Sequence, residues 1–293
     1  MKENVAIIGC GTVGTALGRL LGKAGYPIVG ISTTRGEKAA RIAEHLGALH
    51  ASAAPWEVTG NAGLIFVTTP DDAIQNICDT LVSKNAVPPG SLVIHCSGAL
   101  PSTILASARN HGASIISLHP LQTFASAEQA EALVPGSYFA VEGDQAAIPV
   151  ARRLVNDLEG IWLEISPTLK PLYHAAAVAA SNYLVTLLDM SLQFNRMAGI
   201  SAPNAFKALS PLIHGTLRNI DKQGIPQALT GPIARGDVET VAGHVASIRK
   251  HVPRFLPMYR SLGMHAVDLS LEKGTITEET ATRLRTALER TQA

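Results

Sequence analysis

The stretch Val5-Ala6-Ile7-Ile8-Gly9-Cys10-Gly11-Thr12-Val13-Gly14 decides how the rest of this chain is read. Four apolar residues in a row suit a strand buried on both faces. A GxGxxG turn follows at once, and an amphipathic pattern runs on over residues 12–24. Strand, glycine turn and helix in that order are the context in which the motif holds a dinucleotide. Gly9 permits the tight turn, Gly11 lets backbone approach a pyrophosphate, and Gly14 lets the helix pack closely on the strand. Cys10, Thr12 and Val13 then offer backbone amides at a helix start, where phosphates bind.

Outward from that turn the alternation continues. Strands are expected at Ile28–Ser32 and at residues 64–68, 91–96, 115–118, 138–141 and 161–165, with helical patterns over 37–46, 72–81 and 145–158. Strands alternating with helices argue for an α/β fold with a doubly wound, mainly parallel sheet. After Ile165 the strand signals stop. Ser166-Pro167-Thr168 opens a long helix reaching to about Met197, and Gly199, Pro203, Gly224, Pro226 and Gly236 punctuate further helices. The expected division is therefore a nucleotide-binding domain over 1–166 and an all-α domain over 167–293.

Composition agrees with two domains, since 293 residues exceed the roughly 100–200 of a single one. Lys+Arg 24 against Asp+Glu 23 leaves +1, so no overall field draws nucleic acid or an anionic membrane. Cys10, Cys78 and Cys96 are odd in number and lack CxxC spacing, which argues against both a disulfide framework and a zinc site. His244 and His251 alone make no metal site, and no metal is expected. The apolar run before Gly9 is too short for a signal sequence. Ser181, Asn182, Thr186 and Asp189 interrupt the apolar stretch 174–190, so no membrane span is expected and the chain reads as cytoplasmic.

The end of the second strand selects the cofactor. An NAD site places Asp or Glu there to hold the ribose 2′-hydroxyl; this chain has Ser32-Thr33-Thr34-Arg35. Thr33, Thr34 and Arg35 suit a 2′-phosphate, which a guanidinium grips bidentately. A charged hydrogen bond favours NADP(H) by about 10- to 100-fold.

Ligands in an open parallel sheet lie beyond the carboxyl ends of the strands. Thr68, Thr69 and Pro70 end one strand beside the cofactor, and Asp71 or Asp72 reads as a helix cap. Ser97 and His119 end the next two, a hydroxyl and an imidazole able to bind a substrate oxygen and move its proton. Lys170 and His174 share one face of the long helix at i, i+4. Desolvation of a sheltered Lys170 would make it a usable general acid. Asn182 is a candidate for orienting substrate, and Arg235, before the N-cap Asp237, for gripping a substrate carboxylate.

Three phrases carry a family resemblance: SLHPLQTF (117–124), YHAAAVAASNYLV (173–185) and LTGPIARGD (229–237). Together they resemble the Rossmann-like oxidoreductases with a C-terminal domain of unknown function, a group related to ketopantoate reductase, pyrroline-5-carboxylate reductase and prephenate dehydrogenase. That resemblance implies a Rossmann domain, an all-α domain like the C-terminal one of 6-phosphogluconate dehydrogenase, NADP(H), and a homodimer joined through the helices. Lys170 stands where ketopantoate reductase-like enzymes place a general-acid lysine, with His174 in place of their asparagine. Ser97 and His119 resemble the serine and the His-Pro histidine of prephenate dehydrogenase, although Leu121-Gln122-Thr123 replaces the glycine-containing run that follows there. The expected activity is NADPH-dependent reduction of a small carboxylate-bearing carbonyl or imine compound. The rival readings are an oxidative dehydrogenase like prephenate dehydrogenase and a non-catalytic NADP-binding sensor.

Overall fold

The computed structural model describes residues 1–290, the side chains of Ala202 and Pro203 excepted. The chain folds into two compact units, Met1–Asn182 and Tyr183–Ala293. In the first, the strands are β1 (Val5–Ile8), β2 (Ile28–Ser32), β3 (His50–Ser52), β4 (Leu64–Val67), β5 (Leu92–His95), β6 (Ser114–Pro120), β7 (Tyr138–Gly143) and β8 (Ile161–Glu164). They form one sheet in the order β3-β2-β1-β4-β5-β6-β7-β8. Strands β1 to β6 run parallel, β7 lies antiparallel to β6, and β8 is parallel to β7. This is the doubly wound order whose switch point lies between β1 and β4.

Strand pleating explains the continuous apolar runs. Val5, Ile7 and Phe66 face Leu17 and Leu21 of α1 (Thr12–Lys23). Ala6, Ile8, Ile65 and Val67 face Ile74 and Leu81 of α3 (Asp71–Ser83) on the other side. The central strands β1 and β4 are thus covered on both faces, as parallel sheets require. The remaining helices of this unit are α2 (Gly36–Leu46), α4 (Ala106–Asn110), α5 (Ala127–Leu133), α6 (Ile148–Asp157) and α7 (Lys170–Ala180).

The second unit contains most of α8 (Asn182–Met197), then α9 (Ala202–Gln223), α10 (Val238–His251), α11 (Leu256–Glu272) and α12 (Glu278–Glu289). Its own core joins Val241, Val245 and Ile248 of α10 to Val267 of α11 and to Leu284 and Leu288 of α12.

Three features depart from the expectations above. The edge strand β3 carries no apolar run, and only its pairing with β2 makes it a strand. The single long helix is two, broken at Ser181, where α7 ends. The unit boundary falls after Asn182 rather than near Pro167, because α7 is pinned to the sheet by the side chains described below. By length and composition the run Pro167–Met197 also passes as a membrane span, with mean hydropathy 1.3 and 6% of its apolar window buried. Its polar residues therefore do not disqualify it, but the break leaves helices of 11 and 16 residues, each shorter than the ~20 that a span needs.

Candidate active site

The glycine turn is shaped by the strand beside it. A Cβ on Gly9, whose φ is +91°, would stand 2.7 Å from both Cγ2 and the amide of Thr69. One on Gly14 would meet Thr68 Oγ1 at 2.4 Å. Gly11 has nothing within 4 Å of that position. Thr68 Oγ1 donates to the Gly9 carbonyl at 2.8 Å and so braces the turn; the hydroxyl is spent there, and a ligand would meet the backbone. Thr69 Oγ1 is buried with no hydrogen-bond partner among the described residues. α1 begins with neither a side-chain cap nor an acidic residue in its first turn. Two glycines held tight, one facing open space and an uncapped helix start fit a dinucleotide pyrophosphate. Cys10 joins by its backbone alone, since its side chain is buried and burial pushes the thiol up to about 12.

At the end of β2, Thr33 Oγ1 accepts from the Arg35 amide at 3.3 Å and donates to the Arg35 carbonyl at 3.0 Å. That turn leaves Thr34 and Arg35 exposed at the start of α2.

At the end of β6, His119 Nδ1 shares a 2.9 Å hydrogen bond with the Tyr173 hydroxyl on α7. The rings of His119 and His174 lie edge-on, 6.3 Å apart. Both imidazoles press on Gly98, where a Cβ would stand 2.7 Å from His174 Nδ1 and 2.8 Å from His119 Nε2. His174 Nδ1 is buried with no hydrogen-bond partner among the described residues. Burial, then the charges of Lys170 and His174, push His119 down to about 4. Burial raises Tyr173 to about 12. At neutral pH the pair is therefore an uncharged imidazole and a protonated phenol.

Lys170 is sheltered, as expected, and its ammonium has partners of its own. It is fully buried, donates to Ser117 Oγ and pairs with Glu142 Oε1 at 3.3 Å. Glu142 also accepts from the Ser102 amide and hydroxyl, each at 2.7 Å. Burial lowers the Lys170 pKa, opposed by Glu142. Ser97 is likewise committed: Oγ donates to Asp71 Oδ2 at 2.8 Å and accepts from the Ala99 and Leu100 amides at 3.1 Å each. It caps the turn after β5, and Asp71 serves it rather than capping α3.

A cavity of about 590 Å3 opens over this end of the sheet, lined by His119, Tyr173, His174 and Asn182 with Leu121 and Leu163. Lys170 and Ser97 do not line it. Arg235 lies in the second unit, exposed, with Asp237 3.4 Å away. The sequence reading missed Gly98, Tyr173 and Glu142. Only Glu142 left a signal, a carboxylate directly after the apolar run Tyr138–Val141 and so in need of a partner if the strand continues buried.

Residues 1–120 match the Rossmann-like domain, and residues 137–266 match the Domain of unknown function (DUF2520). The chain thus carries the two domains that the sequence phrases implied. No curated protein matches it. Its structure is similar to that of a Bacteroides fragilis protein described as a "putative NADP oxidoreductase", at 21% identity and TM-score 0.74 over 91% of this chain and 98% of that one. It is similar to a Thermotoga maritima protein at 24% identity and TM-score 0.67, over 97% and 98%. The Plasmodium falciparum pyrroline carboxylate reductase with NADP bound follows at 15% and 0.58, over 96% and 98%. At these identities the likeness establishes the fold, one that nicotinamide-dependent oxidoreductases use.

Proposed function

We propose that this protein is an NADP(H)-dependent oxidoreductase acting on a small carboxylate-bearing carbonyl or imine compound, with His119 as the group that handles the substrate proton. The observation that carries this reading is the hydrogen-bonded His119–Tyr173 pair on a cavity at the end of β6, at the carboxyl edge of the same parallel sheet whose β1 ends in the glycine turn. A bound nicotinamide would supply the hydride; positioning and proton movement fall to the chain. His119 offers a hydrogen bond to the substrate oxygen or nitrogen, Tyr173 orients the imidazole, and Asn182 on the same wall orients the substrate. Arg35, with Thr33 and Thr34 at the turn, would hold the 2′-phosphate. Because a neutral imidazole is ready to accept a proton, the oxidative direction is the second reading.

NADPH absorbance followed with a panel of small keto acids and cyclic imino acids tests the proposal in wild type and His119→Asn. The variant is expected to lose about 100- to 10,000-fold in kcat/KM while its NADPH affinity stays within twofold. Turnover that survives the substitution removes His119. Saturable NADPH binding with no turnover in either direction favours the sensor reading. Arg35→Glu should weaken NADPH far more than NADH, and equal losses defeat the 2′-phosphate assignment.

A homodimer through the helical unit belongs to the same proposal. Its support is the apolar surface which that unit exposes: Tyr183 64%, Val185 68%, Leu212 67% and Phe206 50%.

A further inference from the structure

A second cavity lies wholly within the helical unit, and the cofactor reading makes no use of it. It has a volume of about 590 Å3 and is bounded by the end of α8, the loop from Leu229 to Ile233, α10 and α11. That falls in the range of small-ligand pockets, roughly 300–1,000 Å3. Its floor is apolar. Phe194 stands there edge-on to Phe255 at 5.9 Å and tilted against Tyr259 at 6.5 Å, next to Ile233 and Ile248.

One wall is polar at helical spacing. His244, Ser247 and His251, at i, i+3 and i+7 of α10, all line the cavity. His244 Nδ1 is held 2.8 Å from the Tyr259 hydroxyl. Among the described residues, the side chains of Ser247 and His251 make no hydrogen bond within the protein. None of the residues that line the cavity is acidic, and the last turn of α10 carries Arg249 and Lys250 beside His251. A purely apolar guest would leave that polar row unused, and a small inorganic anion would gain nothing from the aromatic floor.

We propose that this cavity binds an organic anion with an apolar body, an aryl- or alkyl-carboxylate. The body lies on Phe194 and Ile233, and the carboxylate meets the His244–Ser247–His251 row. The proposal rests on the helical unit alone and stands whether or not the cofactor reading does.

The test titrates the full chain with 3-phenylpropionate and, separately, with 3-phenylpropan-1-ol by ligand-observed NMR. The carboxylate is expected to bind about tenfold or more tightly than the alcohol, the value of one charge-assisted hydrogen bond. His251→Ala should shrink that preference. Ser247→Trp, at an exposed position on the wall, should cost the carboxylate about tenfold or more and leave NADPH affinity and thermal midpoint unchanged. Equal affinity for the two probes, no binding of either, or binding that ignores Ser247→Trp overturns the proposal. So does a wild type that ignores both probes while Ser247→Trp changes its sedimentation, since the cavity would then receive a second copy of the chain.

Discussion

Gly98 has no side chain because two imidazoles already stand where its Cβ would be. Gly98→Ala should therefore push His119 and His174 from their places without emptying any core. The expected result is a loss of turnover of about tenfold or more, from misplacement alone, with NADPH affinity retained; comparing kcat with the NADPH Kd checks it. Titration of His119 and of His95, which ends β5, makes the fold sensitive to acid. Burial and the Lys170 charge hold His119 at about 4 and His95 at about 3, below the unfolded value of about 6.5. The unfolded chain thus takes up protons first as pH falls. The native state is favoured fully above pH ~6.5 and loses stability progressively below it, by about 2 kcal/mol per histidine at pH 5. Denaturant unfolding at pH 7 and pH 5 should show that drop, and His119→Asn should remove part of it. An unchanged slope in the variant would mean that His119 titrates normally.

The helix α7 takes its place from its first residue. Lys170 reaches back under the sheet to Ser117 on β6 and Glu142 on β7, and the three residues after it bring Tyr173 to His119. The side chain expected to donate a proton is buried against the sheet, and its bonds to Ser117 and Glu142 tie the start of α7 to β6 and β7. Lys170→Ala leaves Glu142 buried without its cation, a change that costs about 3–5 kcal/mol. Chemical denaturation should show a loss of that size. A loss under about 1 kcal/mol, typical of an exposed pair, would mean that the Lys170–Glu142 pair does not anchor α7. The same geometry explains why the boundary between units could not be read at Pro167. Composition changes there, but the packing of α7 belongs to the sheet.

The whole molecule joins a sheet unit that covers its apolar strands on both faces to a helical unit that does not cover its own apolar surface. Val185→Asp places a charge on that exposed surface. Sedimentation should find wild type dimeric and the variant monomeric, with secondary structure unchanged by circular dichroism. A wild type already monomeric at micromolar concentration would defeat the dimer.

Local chemistry settles some of this protein's features. A glycine turn after a four-residue apolar strand specifies its own backbone path, and alternating patterns specify a parallel sheet. Those readings hold because each depends on residues adjacent in the chain. What Lys170, Ser97 and His119 do depends on partners far along it: Glu142, Asp71 and Tyr173. Whether a buried lysine finds a counter-charge is a matter of which carboxylate the topology brings within 4 Å. That meeting depends on β6, β7 and α7 packing together, and a one-dimensional pattern carries no record of it.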